Sequence, residues 1–122
     1  KEFEAEFLSG KRNNVPDELN GNDTGIAIYN LVKEIFKEEL AFKTEIAIEI
    51  AVEIDAIIRS IVYEDEILII DWQNKTDIEG KIKIAIDDYI FDLKAKYDLD
   101  ISFKQIDDLV EQGLNIAKIK FV

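Results

Sequence analysis

Apolar positions recur along this chain with two different periods, and most of its length follows the helical one. The clearest case starts at Thr76, after which Ile78, Ile82, Ile86, Ile90 and Leu93 recur at steps of three and four with Ala85 and Tyr89 alongside. That is one continuous apolar face of an α-helix. Thr76 and Glu79 have the S/T-x-x-E spacing in which the threonine hydroxyl accepts from the N3 amide and the glutamate reaches back to the cap's own N–H. The spacing therefore predicts a capping box at the helix start. Just upstream, Ile67, Leu68, Ile69 and Ile70 form a short apolar run that stops at Asp71, and Trp72, the only tryptophan, follows. The run predicts a short strand or an extended link, which Gln73, Asn74 and Lys75 separate from the helix.

Residues 44–62, TEIAIEIAVEIDAIIRSIV, fit both periods. Ile46, Ile48, Ile50, Val52 and Ile54 alternate as in a strand, while Glu45, Glu49 and Glu53 repeat as on a helix. Nineteen residues without Gly, Pro or a turn pair exceed an ordinary strand, and Ala47, Ala51 and Ala56 suit a helix, so helix is preferred. It would be the central buried helix, with the three glutamates as its wet edge. Before it, Asp23 or Thr24 can cap a helix in which Ile28, Leu31, Val32, Ile35 and Phe36 form the stripe and Lys33, Glu34, Lys37 and Glu38 stay outside. Ser102 and Gln105 repeat the capping-box spacing before a last helix carrying Phe103, Ile106, Leu109, Val110, Gly113 and Ala117 and ending near Ile119.

At the other end, Phe3, Phe7 and Leu8 lie at helical spacing among Glu2, Glu4 and Glu6, which predicts one short helix within residues 1–12. Asn13 to Gly25 holds the only proline, Pro16, and an Asn20-Gly21 turn signal, and reads as a surface loop. The whole predicts an all-α domain of about four main helices in a small bundle, with one short extended segment possible near 67–70. Residues 1–25 form an N-terminal extension and loop, and 26–122 a helical domain. The opening Lys-Glu-Phe-Glu starts in mid-pattern without methionine, which reads as a piece of a longer polypeptide.

Composition narrows the function. A chain of 122 residues, 48% of them apolar, is one domain with a modest core. With no cysteine and no histidine it cannot build a disulfide framework, a zinc-finger site, a Cys–His or Ser–His nucleophile pair or a histidine base. A net charge of −12 opposes independent nucleic-acid binding, which depends on cations that neutralise phosphates. No run approaches the roughly eighteen apolar residues of a membrane span. The absence of cysteine fits a reducing compartment, and the expected location is cytoplasmic.

The remaining candidate chemistry rests on carboxylates and lysines. Glu79-Gly80-Lys81, with Asp71 or Pro16-Asp17, imitates the set that holds Mg²⁺ in many nucleases. Such a match arises cheaply in a chain this rich in charge, and Glu79 is already assigned to a cap. The clusters Glu64-Asp65-Glu66, Asp87-Asp88 and Asp107-Asp108 could offer oxygens to a hard cation. Neighbouring helical side chains diverge by about 100°, however, so a solvated face is the simpler reading. Asp71 can cap, or pair with Arg59 or Lys75. Trp72 is a core anchor or an interface hot spot, with core preferred, and the exposed aromatics expected to serve a docking surface are Tyr63, Tyr97 and Phe121.

Glu39-Leu40-Ala41-Phe42, the long helix after it, the Ile69-Ile70-Asp71-Trp72 step and the helix from Thr76 carrying Asp87-Asp88 occur in an order that resembles the C-terminal helical region of the restriction (motor) subunit of type I restriction-modification enzymes. The resemblance covers about residues 26–120. It implies a non-catalytic assembly module, docking that subunit onto the methyltransferase and specificity subunits. The parent would be an ATP-dependent DNA translocase and endonuclease, so ATP and Mg²⁺ belong to the parent and no cofactor to this chain. Two other classes fit the residues: a stand-alone acidic interaction domain or DNA mimic, and a small metal-dependent nuclease.

Overall fold

The computed structural model describes residues 16–40 and 43–121; the helix expected within 1–12 lies outside them. Four helices carry the fold: α1 (Asp23–Ile35), α2 (Thr44–Val62), α3 (Thr76–Tyr97) and α4 (Phe103–Lys120). Between α2 and α3 the chain makes a two-stranded antiparallel hairpin, β1 (Tyr63–Glu64) with β2 (Ile67–Leu68), in which Tyr63 faces Leu68 and Glu64 faces Ile67. The described residues thus form a small all-α bundle with one short extended segment.

Residues 44–62 are helical throughout. Ala47, Ile50, Ala51, Ile54, Asp55, Ile58 and Val62 are buried, and their steps of three, four and one mark a helix face rather than a strand face. Burying each isoleucine in full contributes about 1.5–3 kcal/mol, which outweighs the weak local preference of β-branched residues for strands.

The two capping boxes had different fates. At α4 the Ser102 hydroxyl accepts from the Gln105 N–H at 3.1 Å, and Gln105 Oε1 accepts from the Ser102 N–H at 2.9 Å. At α3 the expected box is absent: Lys75 occupies the N-cap position without a side-chain bond, and Thr76 is already helical. Glu79 points instead to Lys118 on α4, 3.1 Å away, where an ion pair competes with the local cap. The cap of α1 is Asn22, one residue before the expected pair, and its Oδ1 accepts from the Gly25 N–H at 2.9 Å. Thr24 is buried, which turns its side chain away from a capping role. The segment expected to be a surface loop makes a 3-10 turn at Asp17–Leu19 and places Leu19 in the core.

Cross-helix contacts set the directions. Asn22 at the start of α1 meets Asp55 near the end of α2, and Tyr97 at the end of α3 meets Glu49 near the start of α2. Glu79 and Lys83 of α3 meet Lys118 and Glu111 of α4 in reverse order, and Gln105 at the start of α4 reaches the Ile35 carbonyl at the end of α1. Every helix is therefore antiparallel to both neighbours. The neighbours run in a ring, α1–α2–α3–α4 and back to α1, an up-down-up-down bundle with α1 and α3 on one diagonal and α2 and α4 on the other. This corrects the expectation of a central helix: α2 is one of four walls, with Val52, Glu53 and Ala56 facing solvent. The shared core includes Ile28, Val32, Phe36, Ile50, Ile54, Ile58, Ile82, Ile86, Ile90, Ile106 and Leu109.

Candidate functional site

The hairpin closes one end of the bundle, together with the start of α1, the end of α2 and the end of α4. Its foot is tightly held. The Ile69 N–H donates to the Val62 carbonyl at 2.8 Å, and the Trp72 indole, fully buried, donates through Nε1 to the Phe121 carbonyl at 2.8 Å. Gln73 Nε2 donates to the same carbonyl at 3.1 Å. The Phe121 ring is edge-on to Tyr63 at 6.2 Å and lies under the Arg59 guanidinium at 4.8 Å, a cation–π contact.

Arg59 continues the set inward. Its Nε donates to Asp55 Oδ2 at 2.9 Å, and Asn22 Nδ2 donates to the same oxygen at 2.9 Å. Asp55 is only 6% exposed, and its other oxygen, Oδ1, is buried without a partner among the described residues. A buried carboxylate is expensive unless paired, so the Asn22–Asp55–Arg59 cluster fixes how the start of α1 meets the end of α2.

What this foot supports is an exposed apolar tip. Ile70 is 86% exposed and Ile67 70%. A shallow concavity beside them is lined by Leu68, Ile69, Ile70, Asp71 and Gln73. Glu64, Asp65, Glu66 and Asp71 are exposed around the tip, and no Lys or Arg occurs between positions 60 and 74. Three of those acids hold positive φ, Asp65 at 52°, Glu66 at 66° and Asp71 at 60°. The first two make the two-residue turn of a primed hairpin, a conformation that favours Asn and Gly. Of the two roles open to Asp71, a cap or a pair with Arg59 or Lys75, it takes the cap position of the turn at Trp72–Asn74 without a capping bond from its side chain, and its Oδ1 accepts from Asn74 Nδ2 at 2.7 Å.

Of the residues singled out in the sequence, the fold brings Trp72, Tyr63 and Phe121 together at this end and leaves Tyr97 at the other. Trp72 is core, as preferred. Phe121 is corrected: it is 3% exposed, because its carbonyl and ring are both taken by the hairpin foot. Tyr63 is half-buried against it, and Tyr97, also half-buried, donates its hydroxyl to Glu49 Oε1 at 2.7 Å. Ile67 and Ile70 are surface residues that sequence reasoning missed, and Phe103, counted among the apolar positions of α4, is also exposed. A signal was there, since four consecutive apolar residues in an extended segment cannot all turn to one face.

Among the described residues no group of three or more acidic side chains converges as a metal ion would require. Glu79 is engaged with Lys118, and Asp87 and Asp88 are exposed on α3. A cleft of about 260 Å³ between the end of α1 and the start of α2 is lined by Tyr29, Lys33, Phe36, Lys37, Leu40, Thr44 and Ala47. No helix among the described residues is long and apolar enough to cross a membrane. Comparison with protein-family models, with curated proteins and with solved structures gave no match to this chain.

Proposed function

We propose that this chain is a non-catalytic assembly module of the restriction subunit of a type I restriction-modification enzyme, docking that subunit onto its methyltransferase and specificity subunits. The observation that carries the reading is the Asp71-Trp72 step at the foot of the hairpin. The residues that bear the resemblance bury Trp72 against Phe121 and hold Ile67 and Ile70 in solvent, an arrangement suited to contact rather than to chemistry. ATP and Mg²⁺ serve the translocase and nuclease of the parent subunit in this reading.

The test is co-elution of the chain with the purified methyltransferase–specificity core of the same organism, with and without DNA. Co-elution in both conditions is the expected result. Elution apart from the core, both for this chain and for a parent subunit that contains it, overturns the reading. A net charge of −12 favours a second reading, a stand-alone DNA mimic. It differs in that DNA would compete directly for the partner and binding would weaken steeply with salt.

A further inference from the structure

We propose that the 63–71 hairpin is itself a docking surface, and that its partner is a protein surface in which lysines or arginines surround an apolar socket for Ile67 and Ile70. The proposal rests on the assembly reading and names the part of the chain that makes the contact.

The hairpin differs from two other exposed apolar positions, Ile84 and Phe103. Ile84 on α3 is flanked by Lys81 and Lys83, and Phe103 lies under the Lys94 ammonium at 5.2 Å, so those surfaces mix charges and partly cover their apolar groups. The hairpin combines the 86% and 70% exposed isoleucines with four carboxylates and no cation over positions 60–74. Its geometry is fixed in advance by the Ile69–Val62 and Trp72–Phe121 hydrogen bonds, so little ordering entropy remains to be lost on binding.

The charge selects the occupant. A second copy would bring another four carboxylates and another −12 against the first, and nucleic acid or an anionic bilayer would be repelled in the same way. A basic rim around an apolar socket satisfies both halves of the surface and excludes acidic partners.

The experiment uses the 122-residue chain and a synthetic 18-residue peptide of leucines and lysines at helical spacing, with a second peptide carrying glutamate for lysine. Affinity is measured by titration calorimetry, and oligomeric state by light scattering. Two double variants are compared, I67S/I70S and I84S/F91S; all four side chains are exposed, so circular dichroism and Tm serve to verify that both remain folded. The proposal expects the lysine peptide to bind, the I67S/I70S chain to lose tenfold or more in affinity, and the I84S/F91S chain to stay within twofold of the original. Equal losses in both variants, no loss in I67S/I70S, or equal binding of the glutamate peptide overturns it. So does a dimer that I67S/I70S dissociates, which would make a second copy the occupant. Co-elution with the methyltransferase–specificity core separates the two readings. If the core retains I67S/I70S as well as the original chain, the hairpin proposal fails and the assembly reading stands. If the core retains neither chain while the peptide results hold, the assembly reading fails and the preference of the hairpin stands.

Discussion

Tyr97 donates its hydroxyl to Glu49 Oε1 at 2.7 Å, whereas the Tyr89 hydroxyl, on the same helix, is buried without a partner among the described residues. The same substitution should therefore act in opposite directions. Y97F loses a hydrogen bond to a carboxylate and should cost about 1 kcal/mol; Y89F removes an unsatisfied buried group and should be neutral or stabilising by about 1 kcal/mol. Denaturant unfolding of the two variants checks this. Burial, reinforced by Glu49, Glu53 and Tyr97, holds the Tyr89 phenol well above its ordinary value. Its neutral form is favoured by folding, so this contribution is whole below about pH 10 and is lost as pH rises further, while the unfolded chain ionises first. Over that alkaline range the original chain should lose stability faster than Y89F. The linear pattern sets Tyr89 beside the apolar face and Tyr97 among the exposed aromatics, but it does not say which hydroxyl meets a carboxylate; that partner is supplied across the α2–α3 seam, and only packing decides it.

Glycines inside α1 and α3 answer to different surroundings. A Cβ at Gly80 would meet nothing within 4 Å, so G80A should stabilise α3 by about 0.5–1 kcal/mol through helix propensity alone. A Cβ at Gly25 would lie 2.8 Å from Asn22 Nδ2 and 2.8 Å from Leu19 Cδ2, so G25A should displace both the α1 cap and the Leu19 plug and lower Tm despite its better propensity. Thermal unfolding of the pair reads the contrast. The elements themselves were largely legible. The helix face of 78–93 is visible in the spacing, and 44–62 was decided by its length and alanines against its alternating isoleucines. The cap of α4 was legible because it is local. The cap of α3 was not, since Glu79 is drawn to Lys118, nearly forty positions away, and no local motif can report that. Likewise the apolar run 67–70 announced an extended segment but not which isoleucines would face water; that depends on the two-residue turn at Asp65-Glu66 and its register.

Charge acts on the molecule as a whole. Ion pairs such as Lys83–Glu111 at 3.0 Å and Lys104–Asp108 at 3.2 Å are substantially exposed and contribute little each, so they do not offset a net −12. Tm should rise as salt increases from low to moderate ionic strength, because screening relieves self-repulsion over the Debye length. A flat or falling curve in scanning calorimetry would show instead that the existing ion pairs balance the excess. The ring of helices has a further consequence for how the fold is closed. Three of its four seams join helices adjacent in the chain; only the α1–α4 seam joins the first helix to the last, with Gln105 bonded to Ile35 across 70 positions. Most contacts thus close short loops at small entropic cost, and the long-loop cost is concentrated in one seam. The α1–α4 seam is thus the latch of the ring, the contact between helices whose opening would return the most chain entropy.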